Sequence, residues 1–118
     1  MDYAKLYNEE YYTKYIGDDG DYGNREKWYP QFREIAKKIY YDTAPKTVLD
    51  VGCAMGYLVE ALREFGVTAY GIDISEYAIS QVAEDVKPYC KVHSILDGIP
   101  SEFPQKYDLV ITIEVMSI

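Results

Sequence analysis

The chain has 118 residues, which is enough for one domain. Its 12 Lys and Arg against 20 Asp and Glu give a net charge of −8, which argues against a partner bound mainly through phosphates, such as a nucleic acid. Hydrophobic residues make up 48%, so we expect a packed core. The sequence has no apolar run of the roughly 20 residues that span a membrane and no secretory signal. Cys53 and Cys90 form neither a disulfide framework nor a metal site, so we expect a cytoplasmic protein without metal.

The N-terminal part of the chain is rich in tyrosine. Residues 16–23 are dominated by Gly and Asp and predict a loop, and the apolar spacing over 24–41 predicts a helix that begins near Pro30 or is kinked there. We assign 1–44 to an N-terminal helical segment and 45–118 to an α/β domain, together forming one structural unit. Before the loop, four tyrosines spaced by four residues would form one helical stripe: Tyr3, Tyr7, Tyr11 and Tyr15.

After residue 45, short β-branched runs alternate with helical patterns. Helical spacing over 57–65 follows the first run, with Gly66 as the predicted C-cap, and Ser75 is the predicted N-cap of a helix extending to Ala83. This alternation predicts an α/β fold with a doubly wound, mainly parallel, Rossmann-like sheet. The predicted strands are residues 47–51, 67–73, 91–95 and 108–115.

The first strand runs into a turn, residues 52–56, that carries two glycines and precedes a helix. Such a turn lets a ligand approach the backbone closely. The turn lacks the G-x-G-x-x-G pattern of dinucleotide sites and the Gly-Lys pair of phosphate loops. Asp50, two residues before the first glycine, would repel a pyrophosphate and attract an ammonium or sulfonium group.

The second predicted strand ends in Asp73, 21 positions after Gly52. An acidic residue about 20 positions beyond the glycine turn, at the tip of the neighbouring strand, is placed to bind both ribose hydroxyls. The two features together predict an adenosine-like ligand that carries positive charge, a description that S-adenosylmethionine fits.

Three motifs carry a family resemblance over roughly residues 45–115. D-V-G-C-A-M-G-Y-L from Asp50 resembles motif I of the class I S-adenosylmethionine-dependent methyltransferases, G-I-D-I-S from Gly71 resembles motif II, and Y-D-L-V-I-T-I-E-V from Tyr107 is similar to the motif IV strand. The resemblance implies contacts to the methionine moiety, to the ribose from Asp73 and to adenine from Ile74. The residues implied around the methionine moiety are Asp50, Gly52 and Ala54, with Cys53, Gly56 and Tyr57 as further turn contacts.

The resemblance leaves several roles open. Near adenine, Ser94, Ile95 and Asp97 are competing alignments, with Ser94 taken as the candidate, and Glu114 either faces the site or caps the strand. The family also implies an N-terminal lid over the cofactor. The alternative is that the tyrosine stripe belongs to a helix that packs its aromatic face on the sheet. No catalytic base is assigned. The candidate lid residues are Tyr11, Tyr15 and Tyr22.

The family fold has seven strands in the order 3-2-1-4-5-7-6, and this sequence ends after the fourth. We therefore expect the fourth strand to form an edge and the chain to form a homodimer through that strand or its faces. The resemblance predicts a methyltransferase with a small-molecule substrate, such as a sugar. The alternatives are a non-catalytic cofactor-binding fragment or module of a longer enzyme and, with less support, an NAD-dependent oxidoreductase.

Overall fold

The computed structural model describes residues 23–113. Four parallel strands form one sheet in the order β3-β2-β1-β4, and three α-helices accompany it. The Rossmann-like architecture predicted from the sequence is confirmed, including the strand order. The elements are α1 Arg25–Thr43, β1 Thr47–Val51, α2 Tyr57–Glu64, β2 Thr68–Asp73, α3 Glu76–Ser80, β3 Cys90–Val92 and β4 Leu109–Ile111.

Helix α1 begins at Arg25 rather than near Pro30. The side chain of Asn24 caps it by accepting a hydrogen bond from the Lys27 amide at 3.3 Å. Pro30 lies inside the helix, where its ring removes the partner of the Glu26 carbonyl. Glu26 and Pro30 are both exposed, so water can solvate the Glu26 carbonyl. None of the helices in residues 23–113 is long and apolar enough to span a membrane.

Helices α1 and α2 pack against each other. Phe32 of α1 is buried with its ring centroid 5.8 Å from that of Tyr57 on α2. At the surface, Glu64 accepts hydrogen bonds from the Tyr29 hydroxyl at 2.5 Å and from Arg33 Nε at 3.1 Å. The helix pair therefore combines polar contacts at its rim with an aromatic core contact that includes Tyr57, the first residue after the turn that follows β1.

Gly66 ends α2 as predicted. It has φ +86°, and its amide bonds to the Arg63 carbonyl while the Val67 amide bonds to the Leu62 carbonyl, both at 3.0 Å. This is the Schellman arrangement, which favours glycine because it requires a left-handed residue. The chain is thereby returned directly into β2.

Three elements are shorter than predicted. Helix α3 ends at Ser80 instead of Ala83, and β3 ends at Val92 because the Ser94 side chain caps a short 3-10 helix through the Leu96 amide. Within the described residues, β4 ends at Ile111, opposite Asp50, although β1 continues to Val51, which pairs with Ile72 of β2. The β-branched runs predicted both strands, but not the residues at which their pairing with the neighbouring strand stops.

Candidate ligand-binding site

The turn after β1 is bonded to the end of β2. The amides of Gly52 and Cys53 both donate to the Ile72 carbonyl, at 2.8 and 2.9 Å, and the Ala54 amide donates to Asp73 Oδ2 at 2.8 Å. Three successive N–H groups of the turn are thus satisfied by β2. In an anion-binding turn, such groups point at the ligand instead. The turn is therefore not arranged to hold a pyrophosphate, which agrees with the interpretation of the G-x-x-x-G spacing.

The turn depends on left-handed backbone at three positions. Gly52, Ala54 and Gly56 have φ of +83°, +51° and +76°. Glycine adopts this region freely, whereas an alanine there is strained by its Cβ. The hydrogen bond from Ala54 to Asp73 opposes that strain. A methyl group on Gly56 would lie 3.2 Å from the Cys90 thiol, so this position is also tightly packed.

Asp73 is bonded through both carboxylate oxygens. Oδ2 accepts from the Ala54 amide and Oδ1 from the Ser75 amide, each at 2.8 Å, and the residue is 8% exposed. Burial raises the pKa of Asp73, and hydrogen bonds from the backbone of Ser75, Ala54 and Ile74 oppose the rise. Each carboxylate oxygen has a second lone pair, so the carboxylate that holds the turn can also accept ligand hydroxyls.

Asp50 lies at the end of β1 in a different environment. It is 4% exposed, and its Oδ1 has no hydrogen-bond partner among the described residues. Burial, together with the nearby charge of Asp73, raises the pKa of Asp50 to about 7. A buried carboxyl without a donor is uncommon, because an unpaired buried charge is costly. This arrangement would be stabilised by a cationic ligand group.

Two predicted turn residues have side chains that belong to the core. The Cys53 thiol occupies the space left by the missing side chain of Gly71, where a Cβ would lie 2.7 Å from it. The hydrogen bond with the neighbouring Cys90 thiol and, to a smaller extent, burial raise the pKa of Cys53. The Tyr57 hydroxyl contacts the Met55 sulfur at 3.7 Å within the core. The side chains of Cys53 and Tyr57 are thus both part of the buried core beside the turn.

The end of β3 lies beside the end of β2. The His93 amide donates to the Asp73 carbonyl at 2.9 Å, and the half-buried Ile74 and Ser94 follow these strands. Next to Ser94, Leu96 is 90% exposed, and Ile95 is also exposed. The structure therefore brings Asp50, Asp73, Ile74, Ser94 and the turn to one edge of the sheet. Tyr11, Tyr15, Tyr22 and Glu114 lie outside the described residues.

A cavity of about 270 Å³ also borders the turn. Arg25 on its wall is paired with Glu60 of α2, so the cation is already neutralised. Neither Asp50 nor Asp73 lines the cavity, which separates it from the predicted ligand crevice. Its lining consists of Gly23, Arg25, Met55, Tyr57, Gln81 and Ala83.

Residues 23–117 match the family model described as a methyltransferase domain. The chain belongs to this family. The resemblance to class I S-adenosylmethionine-dependent methyltransferases is thereby confirmed, since the motif I turn and the strand order of the sheet agree with it.

Similar proteins support the assignment of this methyltransferase domain. Ubiquinone biosynthesis O-methyltransferase from Pseudomonas entomophila is 35% identical over 80 residues, which cover 62% of this chain and 33% of that protein. The domain therefore spans about a third of the length of the curated relatives that it matches.

Two solved structures resemble this methyltransferase domain. Magnesium protoporphyrin IX methyltransferase from Synechocystis PCC 6803, with bound SAM, has a TM-score of 0.64 at 19% identity, covering 96% of this chain and 60% of that one. The plantazolicin methyltransferase BpumL, in complex with a desmethyl-plantazolicin analogue and SAH, has a TM-score of 0.53 at 27% identity, covering 75% and 37%. The first comparison concerns the fold alone.

Sequence reasoning gave no site role to Gly71 or Ile72, and gave Ser75 only that of a helix N-cap. Gly71 admits the Cys53 side chain, the Ile72 carbonyl accepts two turn amides, and the fully buried Ser75 donates its amide to Asp73. A glycine inside an otherwise regular strand is the sequence signal for close approach, so Gly71 was detectable. The Ile72 contact involves only backbone atoms, which no side-chain pattern reveals.

Proposed function

We propose that this chain is the cofactor-binding part of an S-adenosylmethionine-dependent methyltransferase that acts on a small molecule. The observation that carries the proposal is the pair of buried carboxyl groups, Asp50 and Asp73, behind a glycine turn whose amides are already bonded to β2. Such a site disfavours phosphates and favours a cationic adenosine derivative. Membership of the methyltransferase family and the S-adenosyl ligands of the two structural relatives agree with this ligand.

The proposed binding roles follow from position. The backbone of Gly52 and Ala54 would lie against the methionine moiety, with Asp50 beneath its charged groups. Asp73 would accept the ribose hydroxyls through the lone pairs that the turn leaves open, and Ile74 and Ser94 would border adenine. Their location at the same edge of the sheet supports this arrangement. Gly56, Cys53 and Tyr57 would contribute through the shape of the turn.

When bound, S-adenosylmethionine would supply a methyl group on its sulfonium sulfur for in-line displacement. The contribution of this chain is to orient that group and to keep water away from it. The turn is suited to orientation because Ala54 is held by Asp73 at 2.8 Å and Gly52 by Ile72 at 2.8 Å. A rigid turn fixes the ligand without a loss of backbone entropy on binding.

Calorimetric titration with S-adenosylhomocysteine tests the proposal. Asp73→Ala should weaken binding by roughly 1.5–3 kcal/mol, the scale of hydrogen bonds to a charged group. Asp85→Asn is the matched control, because Asp85 is an exposed acidic residue outside the site. Equal affinity of the Asp73 variant and the wild type would refute the assignment. Binding without methyl transfer in a parallel assay would indicate a cofactor-binding module instead of an active enzyme.

The acceptor is proposed to be a small molecule, with a sugar as the specific candidate. The names of the similar proteins refer to ubiquinone biosynthesis, to magnesium protoporphyrin IX and to plantazolicin, and so cover several types of acceptor. The net charge of −8 supports an acceptor other than nucleic acid. A panel of phenols, carboxylates and sugars assayed with labelled cofactor would separate these classes.

The proposed site also includes four residues outside residues 23–113, the three candidate lid tyrosines and Glu114. We propose that Tyr11, Tyr15 and Tyr22 donate hydroxyl hydrogen bonds over the cofactor and that Glu114 faces it. Tyr→Phe at each position should weaken binding by about 0.5–1.5 kcal/mol. Tyr41→Phe serves as the control, because Tyr41 is exposed on α1.

We also propose that the chain self-associates through β4. Among residues 23–113 no strand pairs with the outer edge of β4, and Val110 on this strand is 55% exposed. A parallel-sheet edge with exposed apolar side chains favours strand addition, and a two-fold axis would pair two such strands antiparallel. Sedimentation at low micromolar concentration should give the mass of a dimer, and Val110→Lys should shift it to a monomer.

A further inference from the structure

The two acidic residues of the site differ in the hydrogen bonds that they receive. Asp73 has a backbone amide on each oxygen, from Ala54 and Ser75 at 2.8 Å. Asp50 is buried beside it with Oδ1 unpaired among the described residues. Donors stabilise an ionised carboxylate, and burial without donors stabilises the protonated form. The pair is therefore built to hold one negative charge rather than two.

In the part of the chain that the structure describes, the surroundings of Asp50 contain no cation that would ionise it. On β2, the facing titratable group is Asp73, and in the turn it is Cys53, whose thiol lies beside that of Cys90. On β4 the register partner is the uncharged Ile111. Within residues 23–113, no Lys, Arg or His forms an ion pair with Asp50. Among residues 23–113 no positive charge is placed to ionise this carboxyl, so a cationic ligand is the group that we expect to do so.

We infer that Asp50 carries a proton in the ligand-free protein near neutral pH and loses it when a cationic ligand binds. The inference rests on the proposed function and deepens it, because it assigns Asp50 as the residue that selects the charged form of the ligand. The O–H bond of the carboxyl breaks, the proton passes to the buffer, and the carboxylate keeps the electron pair. The pKa of about 7 given to Asp50 by burial and Asp73 agrees with this.

Calorimetry in two buffers of different ionisation enthalpy measures the protons released on binding. At pH 6, S-adenosylmethionine and S-adenosylhomocysteine should each release close to one proton, falling to about half at pH 7. The α-amino group of the ligand remains protonated at pH 6, since such groups titrate near 8, so it does not contribute. The affinity should rise up to tenfold between pH 6 and pH 7.

Three ligands identify the charge that matters. S-adenosylmethionine carries a sulfonium and an ammonium, S-adenosylhomocysteine only the ammonium, and methylthioadenosine neither. Proton release with both S-adenosyl ligands would assign the effect to the ammonium, whereas release with S-adenosylmethionine alone would assign it to the sulfonium. Either result supports the inference. Methylthioadenosine should bind without release. Release with this neutral ligand, or binding of the charged ligands with none, would overturn the inference while leaving the proposed function intact.

Variants give an independent check. Asp50→Asn should bind more weakly and release no proton at pH 6, whereas Asp85→Asn should release the same number as the wild type. Should Asp50→Asn fail to fold, the carboxyl ¹³C shift of Asp50 in the wild type reports the same event. It should move from a protonated to an ionised value on ligand addition at pH 6, and an unchanged shift would overturn the inference. Failure of both S-adenosyl ligands to bind would overturn the proposed function as well.

Discussion

The backbone amide of Ala54 lies 2.8 Å from Oδ2 of Asp73, so a side chain at the end of β2 fixes the turn that follows β1. Ala54 has a left-handed φ of +51°, a conformation that its own side chain disfavours. The acidic residue of motif II therefore has a structural role in the turn in addition to any contact with ribose.

The first prediction concerns this hydrogen bond. Replacing Asp73 by Asn puts an amide NH₂ in place of one oxygen and removes the charge that strengthens both bonds. The Ala54 amide should then exchange with solvent roughly 10–100-fold faster in the ligand-free protein. Native-state hydrogen exchange by NMR measures this. The Cys53 amide, bonded to the Ile72 carbonyl, is the internal control. Equal exchange of Ala54 in both proteins would contradict the role.

The second prediction concerns the pH dependence of stability. The pKa of Asp50 is raised in the folded protein to about 7 from an ordinary value of 3.8. The unfolded chain therefore loses its proton first, and the folded state loses stability as the pH rises from about 4 to 7. Asp50→Asn abolishes this dependence, so its free energy of unfolding relative to wild type should rise by roughly 2–3 kcal/mol between pH 5 and pH 8.

Urea denaturation of both proteins at pH 5 and pH 8 measures this difference. Asp85→Asn should follow the wild type at both values, since Asp85 is exposed. A constant difference between Asp50→Asn and wild type would show that Asp50 is ionised throughout the range.

The third prediction concerns Gly71. A Cβ at this position would lie 2.7 Å from the Cβ and Sγ of Cys53 and 2.9 Å from Cγ2 of Val59. Gly71→Ala should therefore destabilise the protein by about 1–3 kcal/mol and displace the turn, weakening ligand binding as well. Thr68→Ala, an exposed change on the same strand, should have little effect on either. Denaturation and ligand titration are the measurements, and wild-type values for Gly71→Ala would show that the turn is loosely packed.

The fourth prediction separates the packing of Tyr57 from a ligand contact. Its ring lies 6.3 Å from that of Tyr29 and 5.8 Å from that of Phe32, and its hydroxyl contacts a sulfur. Tyr57→Phe should leave ligand affinity within about twofold, whereas Tyr57→Ala should lower the free energy of unfolding by about 3–5 kcal/mol. A large loss of affinity in Tyr57→Phe would instead place the hydroxyl at the ligand.

The strand order was predictable only through the family resemblance, whereas the turn and the two acidic residues each leave a pattern of residue types. The β-branched runs, the glycine spacing and the capping serine Ser75 all appear in the sequence. The ends of β3 and β4 were not predictable, because they depend on where pairing with the neighbouring strand stops, which the sequence of one strand does not show. The unequal environments of Asp50 and Asp73 were equally hidden, since they depend on which backbone amides point at each carboxyl.

The shared Ile72 carbonyl has a consequence for the order of folding. The turn at Gly52 and Cys53 completes its hydrogen bonds only with a residue about 20 positions further along the chain. Pairing of β1 with β2 must therefore precede formation of the binding site, and a chain still emerging from the ribosome cannot form the site before β2 is available. Cofactor added during refolding should accelerate only those steps that follow this pairing. The time at which ligand binding begins therefore reports when the central strands have paired.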